Sequence, residues 1–206
     1  MRRLVGALVA GALLAPPSAE AMPQEPAPEP VVLWRESQAV GVPWQGRLVR
    51  GVQLPDAGRD FFTWDPVNRM SPNREWRRWG TDRLVRTLLD VLAAYRSANP
   101  WAPRVGIGDL SRPQGGDFGP RFGGLGHASH QNGLDADVYY PRVDGREERA
   151  GSPRLVDQDL SQQLVDLFVR ARARYVFTGP RLQLRGPRGT VQKLVHHDDH
   201  LHVRLR

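Results

Sequence analysis

All six histidines of this 206-residue chain fall in two clusters: His127 and His130, then His196, His197, His200 and His202. Imidazoles grouped with carboxylates suit metal ligation or acid–base chemistry. Three features draw the clusters to one point. In His200-Leu201-His202-Val203-Arg204-Leu205, strand alternation puts both His on one face and Leu201, Val203 and Leu205 on the other. Asp137, seven residues beyond His130, falls on the polar face of a second strand, with Asp135 and Tyr139. A Gly-rich loop precedes His130 and Gly133 follows it, so the backbone can turn sharply there.

Two imidazoles and one carboxylate (His130, Asp137 and His202) make a ligand set typical of zinc. Three protein ligands leave a position open, as in catalytic sites. A zinc ion so held keeps net positive charge, brings the pKa of a bound water toward about 7, and polarises a carbonyl. A proton acceptor must complete such a site. The HExxH arrangement is absent and the last Glu is Glu148, so the candidates are His197 and His200. His127 stays open between a site residue and a loop residue. Asp135 is expected to orient a ligating His through its second ring nitrogen. His196 alternates away from His197 and reads as structural, and Asp198 and Asp199 as turn formers. Ser129 stands beside His130 without a G-x-S-x-G elbow, so a serine nucleophile is set aside. The chain has no Cys, which excludes disulfide scaffolds, thiolate zinc sites, iron–sulfur clusters and thiol nucleophiles.

The rest of the chain must place these groups. Met1-Arg2-Arg3, an apolar run from Leu4 to Ala15 and the small-x-small Ala19-Glu20-Ala21 have the layout of an export signal over residues 1–21. Its apolar run is shorter than the roughly 20 residues a membrane span needs. Residues 22–30 read as a Pro-rich linker, and residues 31–206 as one domain. The net charge is +7, but only one of 29 basic residues is Lys, and no basic cluster interleaved with aromatics forms a nucleic-acid module.

Residues 46–49 and 52–54 read as short strands. Leu84, Leu88, Val91, Leu92 and Tyr95 predict a helix over 81–98, capped by Thr81 or Asp82 and stopped by Asn99-Pro100. Residues 104–110 and 134–140 read as strands, and 159–174 as a second helix burying Leu160, Leu164, Leu167, Phe168 and Ala171. Further strands are expected at 175–177, 182–184, 191–195 and 200–205. The sum is an α+β fold, helices packed on an antiparallel sheet, with the zinc site on the sheet face.

Gly108-Asp109-Leu110-Ser111, Gly115-Gly116, the run His127-Ala128-Ser129-His130-Gln131-Asn132-Gly133-Leu134-Asp135-Ala136-Asp137, and His197-Asp198-Asp199-His200-Leu201-His202 resemble the penicillin-insensitive murein endopeptidases. That family lies within the wider lysostaphin, D-Ala-D-Ala peptidase and hedgehog-like zinc fold group. The resemblance implies that His130, Asp137 and His202 hold one catalytic zinc ion, with His127 near it. It implies that His200 acts close to the metal or steadies the oxyanion, and that His197 is the base or shares that role. It further implies a periplasmic enzyme that cuts D-alanyl–diaminopimelyl cross-links of peptidoglycan and needs no acylable Ser. Two alternatives stand beside it. One is a zinc D,D-carboxypeptidase or dipeptidase acting on uncross-linked stems; the other is a catalytically inactive peptidoglycan-binding module.

Overall fold

The computed structural model describes residues 31–122 and 126–206; the expected export signal and linker lie outside the described residues. The chain forms β1 (Gln38–Val42), β2 (Gln45–Val49), β3 (Val52–Gln53), β4 (Phe61–Thr63), β5 (Trp79–Gly80) and α1 (Asp82–Ala98). It continues through β6 (Val105–Ile107), β7 (Asp135–Tyr139), α2 (Gln158–Arg170), β8 (Tyr175–Thr178), β9 (Val191–Lys193) and β10 (His200–Arg204). The architecture is α+β. The main sheet runs β4-β6-β7-β10-β8-β9, antiparallel in its middle, with parallel pairs β4/β6 and β8/β9 at its two edges.

Strand alternation divides that sheet into two chemistries. Ala136, Val138, Leu201 and Val203 join the core, where they meet Leu84, Leu88 and Leu92 of α1 and Leu164 and Phe168 of α2. The opposite face carries Asp135, Asp137, His200 and His202. It too is largely buried: every residue of β7 is buried, so the polar face is an interior and not a solvated surface.

Thr81 is the N-cap of α1: its Oγ1 accepts from the Leu84 amide at 3.1 Å and donates to the Gly133 carbonyl at 3.1 Å. One side chain thus satisfies a helix-end amide and ties the helix to the turn after His130. Asp82 instead accepts from the amides of Arg35 and Ser37. Helix α2 differs from expectation at both ends. Asp157 caps it, so it starts at Gln158, and it stops at Arg170 with Arg172 in the left-handed region (φ 61°). Beyond that stop Ala171 is exposed, and Leu167 is only partly buried.

The strand expected at 182–184 does not form, although Leu182 and Leu184 are buried. Side chains of α2 take its backbone groups instead: the Gln183 amide donates to Gln158 Oε1 at 2.7 Å, and the Arg185 amide to Gln162 Oε1 at 2.9 Å. Glutamine side chains here replace a neighbouring strand.

The hairpin β1–β2 holds the segment bearing His130. The Gln131 amide donates to the Pro43 carbonyl at 3.0 Å, and Gly115 bridges to Arg47. Gly115 has φ +66°, and a Cβ there would collide with the Gln131 carbonyl oxygen. Gly115→Ala is therefore expected to cost more than about 2 kcal/mol, left-handed strain plus a backbone shift. A urea midpoint unchanged from the parent would contradict this.

Candidate metal centre

The register of β10 against β7 builds the site. His202 lies directly opposite Asp137, His200 opposite Tyr139 and Arg204 opposite Asp135. Because both strands alternate in step, five of these polar side chains and a tyrosine share one face. The loop before β7 then brings in His130, which is fully buried and itself adopts φ 66°, together with His127.

These side chains converge on the Asp137 carboxylate. His130 Nε2 lies 3.3 Å from Oδ1, His202 Nδ1 3.4 Å from Oδ1, His200 Nε2 3.6 Å from Oδ1 and His127 Nδ1 3.7 Å from Oδ2. The ligand atoms of His127, His130 and Asp137 all lie within 4.8 Å of one another, so this trio could hold a metal ion. The first two separations are too long for good hydrogen bonds. They match the edge of a tetrahedron: two atoms about 2.0–2.1 Å from one ion stand about 3.3–3.4 Å apart. His130 Nε2 and Asp137 Oδ1 are also buried without a hydrogen-bond partner.

The far nitrogen of each ring explains why. His130 Nδ1 donates to the Leu110 carbonyl at 2.5 Å and His202 Nε2 to Asp135 at 3.0 Å. His200 Nδ1 donates to Asp199 at 2.8 Å and His127 Nε2 to Asp109 at 2.7 Å. Carbonyl and carboxylate oxygens only accept, so each of these nitrogens carries the hydrogen. In the neutral rings, the nitrogens turned to Asp137 are therefore bare lone pairs. Lone pairs facing a carboxylate repel it unless a proton or a metal cation lies between them. Nitrogen and carboxylate donors without thiolate suit zinc and its first-row neighbours.

Without an ion, protons take that place on two of the rings. Burial would lower the His130 pKa, but Asp137, Asp135 and Asp109 outweigh it and hold it at about 9. His200 is raised against burial by Asp137 and Asp199. Burial dominates at His202, which falls to about 4, and at His197, where the charge of His200 adds to it. Asp137 is buried, yet His130, His200 and His127 keep it well below the usual carboxylate range. Burial likewise acts against ionisation of Asp109, where Arg77 and His127 prevail, and of Asp135, where His202, His130 and Arg204 prevail. Among the described residues, the cationic partners of Asp137 are imidazoles alone, whereas Asp109 has Arg77 and Asp135 has Arg204.

A cavity of about 680 Å³ opens over this cluster, walled by Trp44, Tyr139, Arg149, Phe177 and Val195. His197 lines it; its ring centroid lies 4.7 Å from that of His200 and 5.8 Å from that of His202. The structure thus brings together His127, His130, Asp135, Asp137, His200 and His202, with His197 one ring further out. His127, open on sequence grounds, stands inside the cluster. Asp199, read as a turn former, bonds His200 and also pairs with Arg149 at 3.1 Å. Sequence reasoning gave no role to Asp109 or Arg77. A signal was present in Gly108-Asp109-Leu110-Ser111, but neither periodicity nor spacing pointed its carboxylate toward His127.

A family model described as penicillin-insensitive murein endopeptidase matches residues 39–176, about two thirds of the chain. The match takes in His127, His130, Asp135 and Asp137 and ends before the C-terminal His cluster. No curated protein matches the chain.

Proposed function

The chain belongs to the penicillin-insensitive murein endopeptidase family, and from that premise we propose that it is an exported zinc peptidase that hydrolyses D-alanyl–diaminopimelyl cross-links of peptidoglycan. The supporting observation is the set of four imidazole nitrogens turned on Asp137, each with its opposite nitrogen already committed. In this reading residues 1–21 direct export and are removed, residues 22–30 are a linker, and residues 31–206 are the catalytic domain, working in the periplasm. Among the described residues no helix is long and apolar enough to cross a membrane.

His130, Asp137 and His202 would hold the ion, with His127 as a further nitrogen ligand. Zinc bound there would supply Lewis-acid polarisation of the scissile carbonyl and a more acidic water. The side chains do the rest. Hydrolysis adds water across the amide and needs a proton acceptor first and a proton donor afterwards. His197 Nδ1 donates to the Val195 carbonyl at 2.7 Å, so Nε2 is its lone-pair nitrogen. Its lowered pKa keeps that lone pair available at neutral pH. His197 Nε2 takes the proton from water and returns it to the departing diaminopimelyl nitrogen. His200, held through Nδ1 by Asp199, faces the developing oxyanion. The apolar cavity walls exclude water and hold the peptide. No step needs an acylated serine, consistent with insensitivity to penicillin.

The test is digestion of purified cross-linked peptidoglycan by the chain lacking residues 1–21, with and without chelator, products resolved by mass. The expected result is chelator-sensitive conversion of dimeric muropeptides to monomers, restored by zinc. Loss of terminal D-Ala from monomers alone would replace this reading with a D,D-carboxypeptidase. Bound zinc with no cleavage would replace it with a peptidoglycan-binding module.

A further inference from the structure

Three of the four imidazoles around Asp137 lean on carboxylates, and the carboxylate behind His127 has the fullest set of bonds of its own. His130 leans on a main-chain carbonyl, whereas His127 leans on a carboxylate that is itself fixed from several directions. Asp109 follows β6 and is 1% exposed. Its Oδ1 accepts from Arg77 Nε at 2.7 Å and from Asn73 Nδ2 at 3.0 Å. Its Oδ2 accepts from Arg77 Nη2 at 2.5 Å and from His127 Nε2 at 2.7 Å.

Arg77 has no exposed surface. Its guanidinium lies 4.9 Å from the ring centre of Trp76 and 4.7 Å from that of Phe118. Its Nη1 donates to the Phe122 carbonyl at 3.0 Å, which ties it to the Gly-rich loop that leads to His127. A forked guanidinium leaves a carboxylate little freedom to rotate. The oxygen presented to His127 is therefore fixed in place and acts only as an acceptor.

We propose that Asp109 and Arg77 are a positioning pair for the metal site: they hold His127 as the Nε2–H tautomer and aim its Nδ1 lone pair at the ion. This rests on the reading that the His–Asp cluster binds a divalent metal. The energetic reason for such a device is exposure. His127 lies at the mouth of the cavity, its side chain 16% exposed against 0% for His130. Packing alone fixes its ring less firmly. A carboxylate partner supplies orientation and makes the ring a better donor, and loss of such a partner typically weakens metal binding about 10–100-fold.

The experiment is a double-mutant cycle on zinc affinity in the full chain, read by competition with a chromophoric chelator. Asp109→Asn is measured in the parent and in a His127→Ala background. The pair predicts roughly 10–100-fold weaker zinc binding in the parent background and a change under about threefold where His127 is gone. Long-range 1H–15N spectra of the zinc-loaded parent are expected to place the His127 proton on Nε2. An equal loss in both backgrounds would make Asp109 a structural residue only, and undiminished affinity would overturn the proposal outright. If Asp109→Asn does not fold, Arg77→Met combined with Asp109→Leu removes both buried charges together. That variant should fold yet bind zinc with the same weakening, and parental affinity there would equally overturn the proposal. A parent chain that binds no zinc would fail at the metal reading itself, before the pair is in question.

Discussion

Asp137→Ala should lose at least about three orders of magnitude in peptidoglycan hydrolysis, because it removes the carboxylate on which all four imidazoles converge. In the zinc-peptidase reading proposed above, the same change should also erase stabilisation by added zinc. A ligand present at a thousandfold excess over its Kd stabilises the folded state by about 4 kcal/mol, and a site that no longer binds contributes none. Thermal unfolding of parent and variant, each with zinc and with chelator, reads this directly. The parent should melt higher with zinc, and the variant should melt alike in both. A variant that zinc still protects, or that still cuts dimers, would remove Asp137 from the centre of the site.

Arg77→Met should be the most damaging single change away from the cavity. The guanidinium and the Asp109 carboxylate are both fully buried, and their separation is 2.5 Å. Deleting one member leaves the other charge in the interior, which typically costs about 3–5 kcal/mol. For a domain of this size that corresponds to a fall in Tm of roughly 10 °C. Replacing both members by apolar residues should recover much of the loss, since no unpaired charge remains. A single variant that unfolds within a degree or two of the parent would show that Asp109 finds another counter-charge.

Much of this site was legible because β-strands have a period of two. In β7 and β10 the apolar residues at every second position fix which faces Asp135, Asp137, His200 and His202 occupy. The same logic located α1, whose apolar spacing and Thr81 cap needed no tertiary context. It failed at residues 182–184. Alternating leucines there satisfy a strand pattern, yet glutamines of α2 take the backbone hydrogen bonds. It also misjudged the end of α2, where a left-handed Arg172 terminates the helix without the usual glycine.

Local sequence settles the donor types, the absence of thiol chemistry, and the faces on which two strands present their polar groups. These depend on residue identity and on neighbours one or two positions away. Long-range pairing alone puts His202 opposite Asp137, makes it the ring that Asp135 orients, brings His127 into the cluster, and sets the Leu110 carbonyl, Asp109 and Asp199 on the other far ring nitrogens. Strand register is a choice among long-range pairings. A backbone carbonyl has the same chemistry at every position, so nothing in its residue type announces that it will orient a histidine 20 residues away. His202 and Asp135 are 67 residues apart, and only the closure of that loop makes them partners.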